Sequence, residues 1–262
     1  MNELGALQPI VARKAMEVET LRCGAAALWA AAQSLPPARP LDLLRGGTVI
    51  AEMKRRSPSG GELRQTIYGE SLAKVFAEAG AAALSVLTDG PAFGGSLDDL
   101  ASARRGTNLP LLRKDFVVDP VQVAEARVGG ADWVLLIAAA LDDSALETCL
   151  EAVERSHAAA IVEVHDESEL ERVMAAGVAC VGINNRDLRT LRTDLETFSR
   201  LRRRITDTTI VIAESGARSP DDVARLAAEG ADAVLVGEAL MRADSPSGLL
   251  QSMVSAARRA PR

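Results

Sequence analysis

Short apolar runs in this chain keep ending in charge, and that pattern leaves few folds open. Thr48-Val49-Ile50-Ala51 runs straight into Glu52 and Lys54, followed by Arg55-Arg56-Ser57-Pro58-Ser59-Gly60-Gly61. The device recurs in Leu111-Leu112-Arg113-Lys114-Asp115, Ala160-Ile161-Val162-Glu163-Val164-His165, Val181-Gly182-Ile183-Asn184-Asn185-Arg186 and Ile210-Val211-Ile212-Ala213-Glu214-Ser215. Side chains alternate faces along a strand, so Glu52 and Lys54 point to the same side of the strand they finish. Burying a charge is costly unless the charge is paired or used. Five buried strands tipped with polar groups therefore imply one shared site at their carboxyl ends.

From Thr48 onward, β-like runs near 48–53, 82–87, 110–113, 133–137, 160–165, 180–183, 210–214 and 233–237 alternate with helix-like segments near 69–79, 96–106, 120–129, 142–156, 167–176, 194–203, 219–229 and 248–259. Four stretches share one grammar: Ala79-Gly80-Ala81-Ala82-Ala83-Leu84, Gly129-Gly130-Ala131-Asp132-Trp133-Val134, Ala176-Gly177-Val178-Ala179-Cys180-Val181 and Glu229-Gly230-Ala231-Asp232-Ala233-Val234. Each ends a helix on glycine, which tolerates the left-handed conformation of a helix terminus, and then enters a buried strand. The repeat of roughly 50 residues, two βα units, predicts an α/β fold of the (β/α)8 TIM barrel type. An open doubly wound sheet writes similar local text, but eight regular units without a Gly-x-Gly-x-x-Gly turn weigh against it. Residues 7 to about 34 read as one helix, stopped by Pro36-Pro37, that precedes the first strand. The expected organisation is a single domain over 1–262, with 1–47 an N-terminal helical extension and 48–262 the barrel.

Composition narrows the chemistry. The net charge of −6 disfavours a general polyanion surface, and an aromatic content of 3% disfavours stacking platforms for single-stranded nucleic acid, so a small anion is a better ligand than DNA. Cys23, Cys149 and Cys180 have no Cys-x-x-Cys spacing and read as inert thiols in a reducing compartment. With His157 and His165 the only histidines, no metal centre is expected. The chain shows neither a signal-peptide pattern nor a membrane-spanning apolar stretch, and the expectation is a cytoplasmic protein without nucleic-acid or membrane partners.

Barrel active sites lie at the carboxyl ends of the strands. Ser215-Gly216-Ala217 after the seventh strand and Gly237-Glu238-Ala239-Leu240-Met241 after the eighth, the latter able to open a short extra helix, read as a phosphate site. Lys54 and Arg186 would be its basic helpers. Bland readings stand beside these. Glu52 with Lys54 could be an ion pair plugging the barrel, and the Arg113-Lys114-Asp115 triplet a solvated loop start. Glu163 could be a satisfied structural carboxylate, Asn184-Asn185 turn residues, Arg186 a surface ion-pair partner, Phe93 core packing, and the glycines ordinary turns. His165 reads as a neutral rim or strand residue without chemistry.

The run Ile50-Ala51-Glu52-Met53-Lys54-Arg55-Arg56-Ser57-Pro58-Ser59-Gly60 resembles the first-strand signature of the indole-3-glycerol phosphate synthase family. So do Ser85-Val86-Leu87-Thr88-Asp89 with Phe93-Gly94-Gly95-Ser96, Leu112-Arg113-Lys114-Asp115-Phe116, Val162-Glu163-Val164-His165, Gly182-Ile183-Asn184-Asn185-Arg186-Asp187-Leu188, Glu214-Ser215-Gly216 and Val236-Gly237-Glu238. These blocks run in barrel order from about residue 50 to 242. The resemblance implies ring closure of 1-(2-carboxyphenylamino)-1-deoxyribulose 5-phosphate to indole-3-glycerol phosphate in tryptophan biosynthesis, with loss of carbon dioxide and water. It implies Lys114 as the general acid at the ribulose carbonyl and Glu163 as stabiliser of the cation that develops on ring closure. Lys54 would hold the substrate carboxylate and act as an acid in dehydration, with Glu52 as its partner and base. Asn184 and Glu214 would orient these groups. Ser57, Phe93, Arg186, Ser215, Gly216, Gly237 and Glu238 would complete the substrate and phosphate pocket, with no metal or organic cofactor. The chain departs from the pattern at Ala92, where a second aromatic is common, at Arg56, where a small residue is common, and at Glu238-Ala239, in place of a frequent Glu-Ser pair in the phosphate region; the first two bear on substrate preference.

The physics agrees without the name. Condensing a carbonyl with an arene needs a proton donor at the oxygen, a negative field near the developing cation, and exclusion of water. Decarboxylation is driven by regained aromaticity, so no electron sink is called for. The competing readings are a phosphoribosylanthranilate isomerase-like barrel, which would use a Cys/Asp pair that Cys180 does not offer, and a retired barrel serving as a scaffold. Arg55 to Gly61 is the first candidate for a mobile lid.

Overall fold

In the computed structural model, residues 7–57, 61–63, 69–187 and 190–259 are described. Eight parallel strands close on themselves: β1 (Thr48–Met53), β2 (Ala83–Leu87), β3 (Leu111–Lys114), β4 (Trp133–Ile137), β5 (Ala159–Val164), β6 (Cys180–Asn184), β7 (Ile210–Glu214) and β8 (Ala233–Val236), with β1 pairing both β2 and β8. The eight runs read from sequence are these strands to within a residue at each end. Closure leaves no sheet edge, and it sends alternate side chains inward and outward.

Outward residues such as Val49, Val86, Val134, Val181 and Val211 meet the helices. These are α3 (Glu70–Glu78), α5 (Leu97–Gly106), α6 (Val121–Val128), α7 (Asp143–Arg155), α8 (Glu167–Ala175), α9 (Glu196–Arg202), α10 (Pro220–Ala228) and α12 (Pro246–Arg259), with short turns α4 (Gly90–Phe93) and α11 (Glu238–Arg242) after β2 and β8. Ser96, Asp142, Asp166 and Ser219 start α5, α7, α8 and α10 by accepting a hydrogen bond from the third helical N–H, a common N-cap. The Gly-Ala-Asp element of the internal repeat also has a structural reason. Asp132 and Asp232 each precede a strand and accept from a neighbouring strand's N–H, Leu111 and Val211 respectively, both at 3.0 Å. They tie the amino end of the barrel, where Trp133 also donates its indole N–H to the Arg39 carbonyl at 2.7 Å.

The opening segment is a correction to the single helix read from sequence. It forms α1 (Gln8–Arg22) and α2 (Ala25–Gln33), separated at Cys23-Gly24. Gly24 at φ −104°, ψ 6° leaves the helical region, and its carbonyl restarts the ladder by accepting from Leu28. Glycine's backbone freedom makes it a poor helix interior, so the apolar run alone does not carry the helix through. A further departure is the two-residue hairpin pairing Arg56–Ser57 with Gly61–Glu62. Of the stretch read as a lid, Pro58 to Gly60 lie outside the described residues.

Helix α1 docks on the carboxyl-end rim of the barrel through a buried charge. Lys14 is 4% exposed and its ammonium lies 2.8 Å from Asp115 and 3.2 Å from Asp89. Asp115 also takes Arg113 at 3.0 Å and the Thr88 hydroxyl at 2.5 Å. Burial alone would raise the Asp115 carboxyl, but Arg113 and Lys14 hold it down at about 2. The Arg113-Lys114-Asp115 triplet is therefore no solvated loop start: its flanking members are 3% exposed and lock the backbone that carries Lys114.

Candidate active site

Along each strand the inward series begins apolar and ends polar. Ile50, Leu112, Leu135, Ile161, Ile212 and Leu235 fill the lower barrel. One step of two residues further, β1 carries Glu52, β3 Lys114, β5 Glu163, β6 Asn184 (two beyond Gly182) and β7 Glu214. Period two thus places these groups on one floor. They line a cavity of about 720 Å³ at the carboxyl rim. Lys54, Ser57, Phe93, Arg186, Ser215, Gly216, Gly237 and Glu238 face the same cavity, so all thirteen residues singled out from the sequence are brought together.

Two charged groupings meet there. The Lys114 ammonium stands 2.7 Å from Glu163 and 2.8 Å from Glu214. Lys54 pairs with Glu52 at 2.5 Å. Burial would lower the Lys114 ammonium, but Glu163, Glu214 and Glu52 together raise it above its ordinary value. Glu214 is raised to about 7 by burial and by the nearby Glu163 charge, against the pull of Lys114. Glu163 goes the other way. Burial acts to raise it, yet Lys114 and His165 hold it well below the usual carboxylate range. Asn184 donates from Nδ2 to Glu163 Oε1 at 3.0 Å and accepts the Arg186 N–H at 3.0 Å, which fixes its amide orientation.

Two glycines make room for this chemistry. A Cβ on Gly182 would fall 2.2 Å from Glu214 Oε1, and one on Gly237 2.3 Å from Glu52 Oε1. Gly182→Ala is expected to swing the flexible Glu214 carboxylate away while the barrel still folds. It should lower kcat by about 10- to 100-fold with thermal unfolding nearly unchanged. Unaltered turnover in that variant would show that Glu214 need not sit where it does.

The walls differ by side. Phe93 and Phe116, with ring centroids 6.2 Å apart and planes tilted by 31°, form an aromatic face. Leu7, which precedes α1, and Ile10 within it line the same cavity. Arg56 donates from Nη2 to the Gly90 and Pro91 carbonyls at 2.9 and 2.5 Å, fastening the first loop to α4 beside Ala92. On the opposite side, Ser215 (φ 64°) and Gly216 (φ 95°) take successive left-handed conformations. For Ser215 that conformation costs on the order of 1 kcal/mol and marks a constrained turn. Arg186 donates to the Leu191 carbonyl at 3.0 Å, and Glu238 pairs with Arg242 at 3.1 Å on α11. Asn185, by contrast, points away from the cavity and holds the backbone of β7 and α9 through Glu214 O, Ser215 O and the Phe198 N–H.

Sequence reasoning missed three contributors. Phe116 stands inside one of the runs that resemble the family but was given no role, and Leu7 was not singled out. His165, read as a rim residue without chemistry, instead sits between Glu163 (3.1 Å) and Glu169 (3.0 Å). Its signal was the inward face it shares with Glu163 two residues earlier.

Known proteins with similar sequences place this geometry in a family. A family model described as indole-3-glycerol phosphate synthase matches residues 7–253. A protein of that name from Nocardioides sp. is 50% identical over 220 residues, covering 83% of this chain and 85% of that protein. Its namesake from Parafrankia sp. is 51% identical over 209 residues, 80% of this chain and 78% of the other. A third, from Mycobacteroides abscessus, is 46% identical over 236 residues, 88% and 86% of the two chains. With the match running from residue 7 through all eight strands to residue 253, the chain belongs to the indole-3-glycerol phosphate synthase family.

Proposed function

We propose that this cavity closes the indole ring of indole-3-glycerol phosphate, with Lys114 as the proton donor. The substrate is 1-(2-carboxyphenylamino)-1-deoxyribulose 5-phosphate. The observation that carries the assignment of roles is the Lys114 ammonium, held between Glu163 and Glu214 at the floor of the cavity.

The arene lies against Phe93 and Phe116, and its carboxylate meets Lys54. The ring carbon bearing that carboxylate attacks the ribulose carbonyl carbon. One carbon–carbon bond forms, and the carbonyl oxygen takes a proton from Lys114 and becomes a hydroxyl. Positive charge then spreads over the ring and its nitrogen, where Glu163 stabilises it. Loss of carbon dioxide returns the bond electrons to the ring. The hydroxyl then leaves as water with a proton from Lys54, while Glu52 accepts the proton released from the ring-closed intermediate, and the indole results.

Lys114 is a poor acid while two carboxylates grip it, so substrate must loosen that grip before the proton moves. The low dielectric of a closed cavity strengthens each of these charge terms. For the phosphate, Arg186 and the backbone turns at Ser215-Gly216 and Gly237-Glu238 supply the donors. Helix α11 has five residues, too few for a developed dipole, so the backbone N–H groups and Arg186 carry this part.

The test is direct. Purified protein supplied with the carboxyphenylamino substrate should generate indole fluorescence together with one carbon dioxide per turnover. Folded protein that yields neither would reject the assignment.

A further inference from the structure

Two carboxylates flank Lys114, and their surroundings differ. Both are at most 2% exposed. The second oxygen of Glu214, Oε1, is buried with no hydrogen-bond partner. The second oxygen of Glu163 accepts from Asn184 and lies 3.1 Å from His165 Nε2.

The protonation of His165 follows from its neighbours. Glu169 Oε2 accepts the His165 backbone N–H at 2.8 Å and lies 3.0 Å from Nδ1. An ionised carboxylate only accepts, so Nδ1 carries a proton. Glu163 Oε1 is likewise an acceptor, already engaged by the Asn184 amide. A neutral ring would therefore set an electron-rich, unprotonated Nε2 3.1 Å from a carboxylate oxygen with no positive charge between them, and a second proton on the ring turns that repulsion into attraction. The Nε2 contact is off the hydrogen-bond axis, so its pull on Glu163 is that of charge on charge. Among the described residues, the ionisable groups facing this unit are Glu163 on β5, Glu169 on α8 and, behind Glu163, Lys114 on β3 and Glu214 on β7. Asn184 on β6 is uncharged, and the turn Ala138–Ala140 after β4 brings only alanine side chains.

We propose that His165, seated on Glu169 as an imidazolium, is a positioning residue that keeps Glu163 the ionised member of the pair and leaves any shared proton to Glu214. The inference rests on the role given above to Glu163, since an ionised Glu163 is what the developing cation needs. The directions of titration agree: Glu163 and Glu169 raise His165 to about 10 against the effect of burial, Glu163 is lowered, and Glu214 is raised. Two like groups pushed apart by their surroundings acquire different proton-transfer roles. The second inner oxygen of Glu214, free of partners, is the natural seat for that proton.

Two measurements on the full chain test this. NMR of the ring nitrogens separates the two histidines with the help of a His157→Asn variant, whose left-handed backbone position asparagine tolerates. At about pH 8 both His165 nitrogens should carry protons, and Glu169→Gln should bring the ring's titration down by about one pH unit or more. A neutral His165 ring at that pH overturns the proposal. In kinetics, His165→Gln removes the charge and should lower kcat by about 10- to 100-fold with KM little altered. That deficit should widen as pH falls from about 9 to about 6, because the proton entering the pair now reaches Glu163 as well. A deficit independent of pH, or one confined to KM, overturns it. Should Glu163→Gln turn over normally while His165 stays doubly protonated in the parent protein, the role of Glu163 fails and the pairing stands, so the two failures are separable.

Discussion

Lys114→Ala is expected to lose kcat by about 10²- to 10⁴-fold, the range that removal of a positioned general acid produces. The loss should appear in kcat and in kcat/KM alike, because the proton moves only in the transition state. Alanine also leaves Glu163 and Glu214 together without their shared cation. Breaking a buried pair this way costs about 3–5 kcal/mol when the remaining charges cannot neutralise. Here one of them can. Without Lys114 the Glu214 carboxyl rises further above its unfolded value and Glu163 loses one of the two cations that held it down, so the stability tied to Glu214 is fullest at low pH and is lost as pH climbs through its raised value. Its melting temperature should therefore lie nearest the parent's in mildly acidic buffer and fall behind as pH rises.

Lys114→Arg separates chemistry from packing. The guanidinium keeps the positive charge between Glu163 and Glu214 but does not release a proton in any accessible pH range. The arginine variant should recover much of the stability and little of the activity. Parent-like turnover with arginine would remove Lys114 from its role as proton donor, whatever the alanine variant does.

How far the site was legible in sequence depends on whether each contact is set by strand period or by the closure of the barrel. Glu52, Lys114, Glu163, Asn184 and Glu214 could be assigned to one floor because each stands at the end of an apolar run, and period two then fixes the face. The barrel itself was legible from the glycine that closes each helix and the apolar strand that follows. Gly182 and Gly237 are different. Each clears space for a carboxylate on the adjoining strand, Glu214 and Glu52, and that proximity arises from inter-strand register. The Glu214 of β7 stands beside Asn184 of β6 rather than beside anything local in the chain. The hydrogen bond that Asn185 accepts from the Phe198 N–H depends likewise on where α9 comes to rest.

Other misses had a local signal that was outweighed. Lys14 lies on the same helical stripe as Leu7, Ile10, Val11 and Val18, and a charge on an apolar stripe implies a buried partner. Its partner Asp115 is about a hundred residues away, next to Lys114, so the stripe showed that a partner exists without naming it. The helix break at Gly24 was masked by the alanine-rich run after it, whose propensity reads straight through a single glycine. His165 was discounted because a lone histidine at a strand end is commonly a rim residue. What distinguishes it is the four-residue spacing to Glu169 across the start of α8, together with its shared face with Glu163.

Glu163→Gln is expected to lower kcat by about 10²- to 10³-fold, as loss of one well-placed electrostatic stabiliser does, while KM shifts by a few-fold at most. The substitution removes the charge and also reverses one hydrogen-bonding end. Glu163 offers acceptors to both Asn184 Nδ2 and Lys114 Nζ, so the new NH2 must face a donor whichever way glutamine turns. Glu214 then becomes the carboxylate nearest Lys114 with no second anion beside it. Part of what raises Glu214 toward 7 is the Glu163 charge, and removing that charge favours the ionised form. Any step of the remaining activity governed by Glu214 should therefore move to lower pH in the variant, opposite to the change expected of His165→Gln. Opposite movements from two residues 3.1 Å apart would trace both effects to the charge of Glu163. A change confined to KM would instead make Glu163 a binding residue and leave the developing cation without its counter-charge.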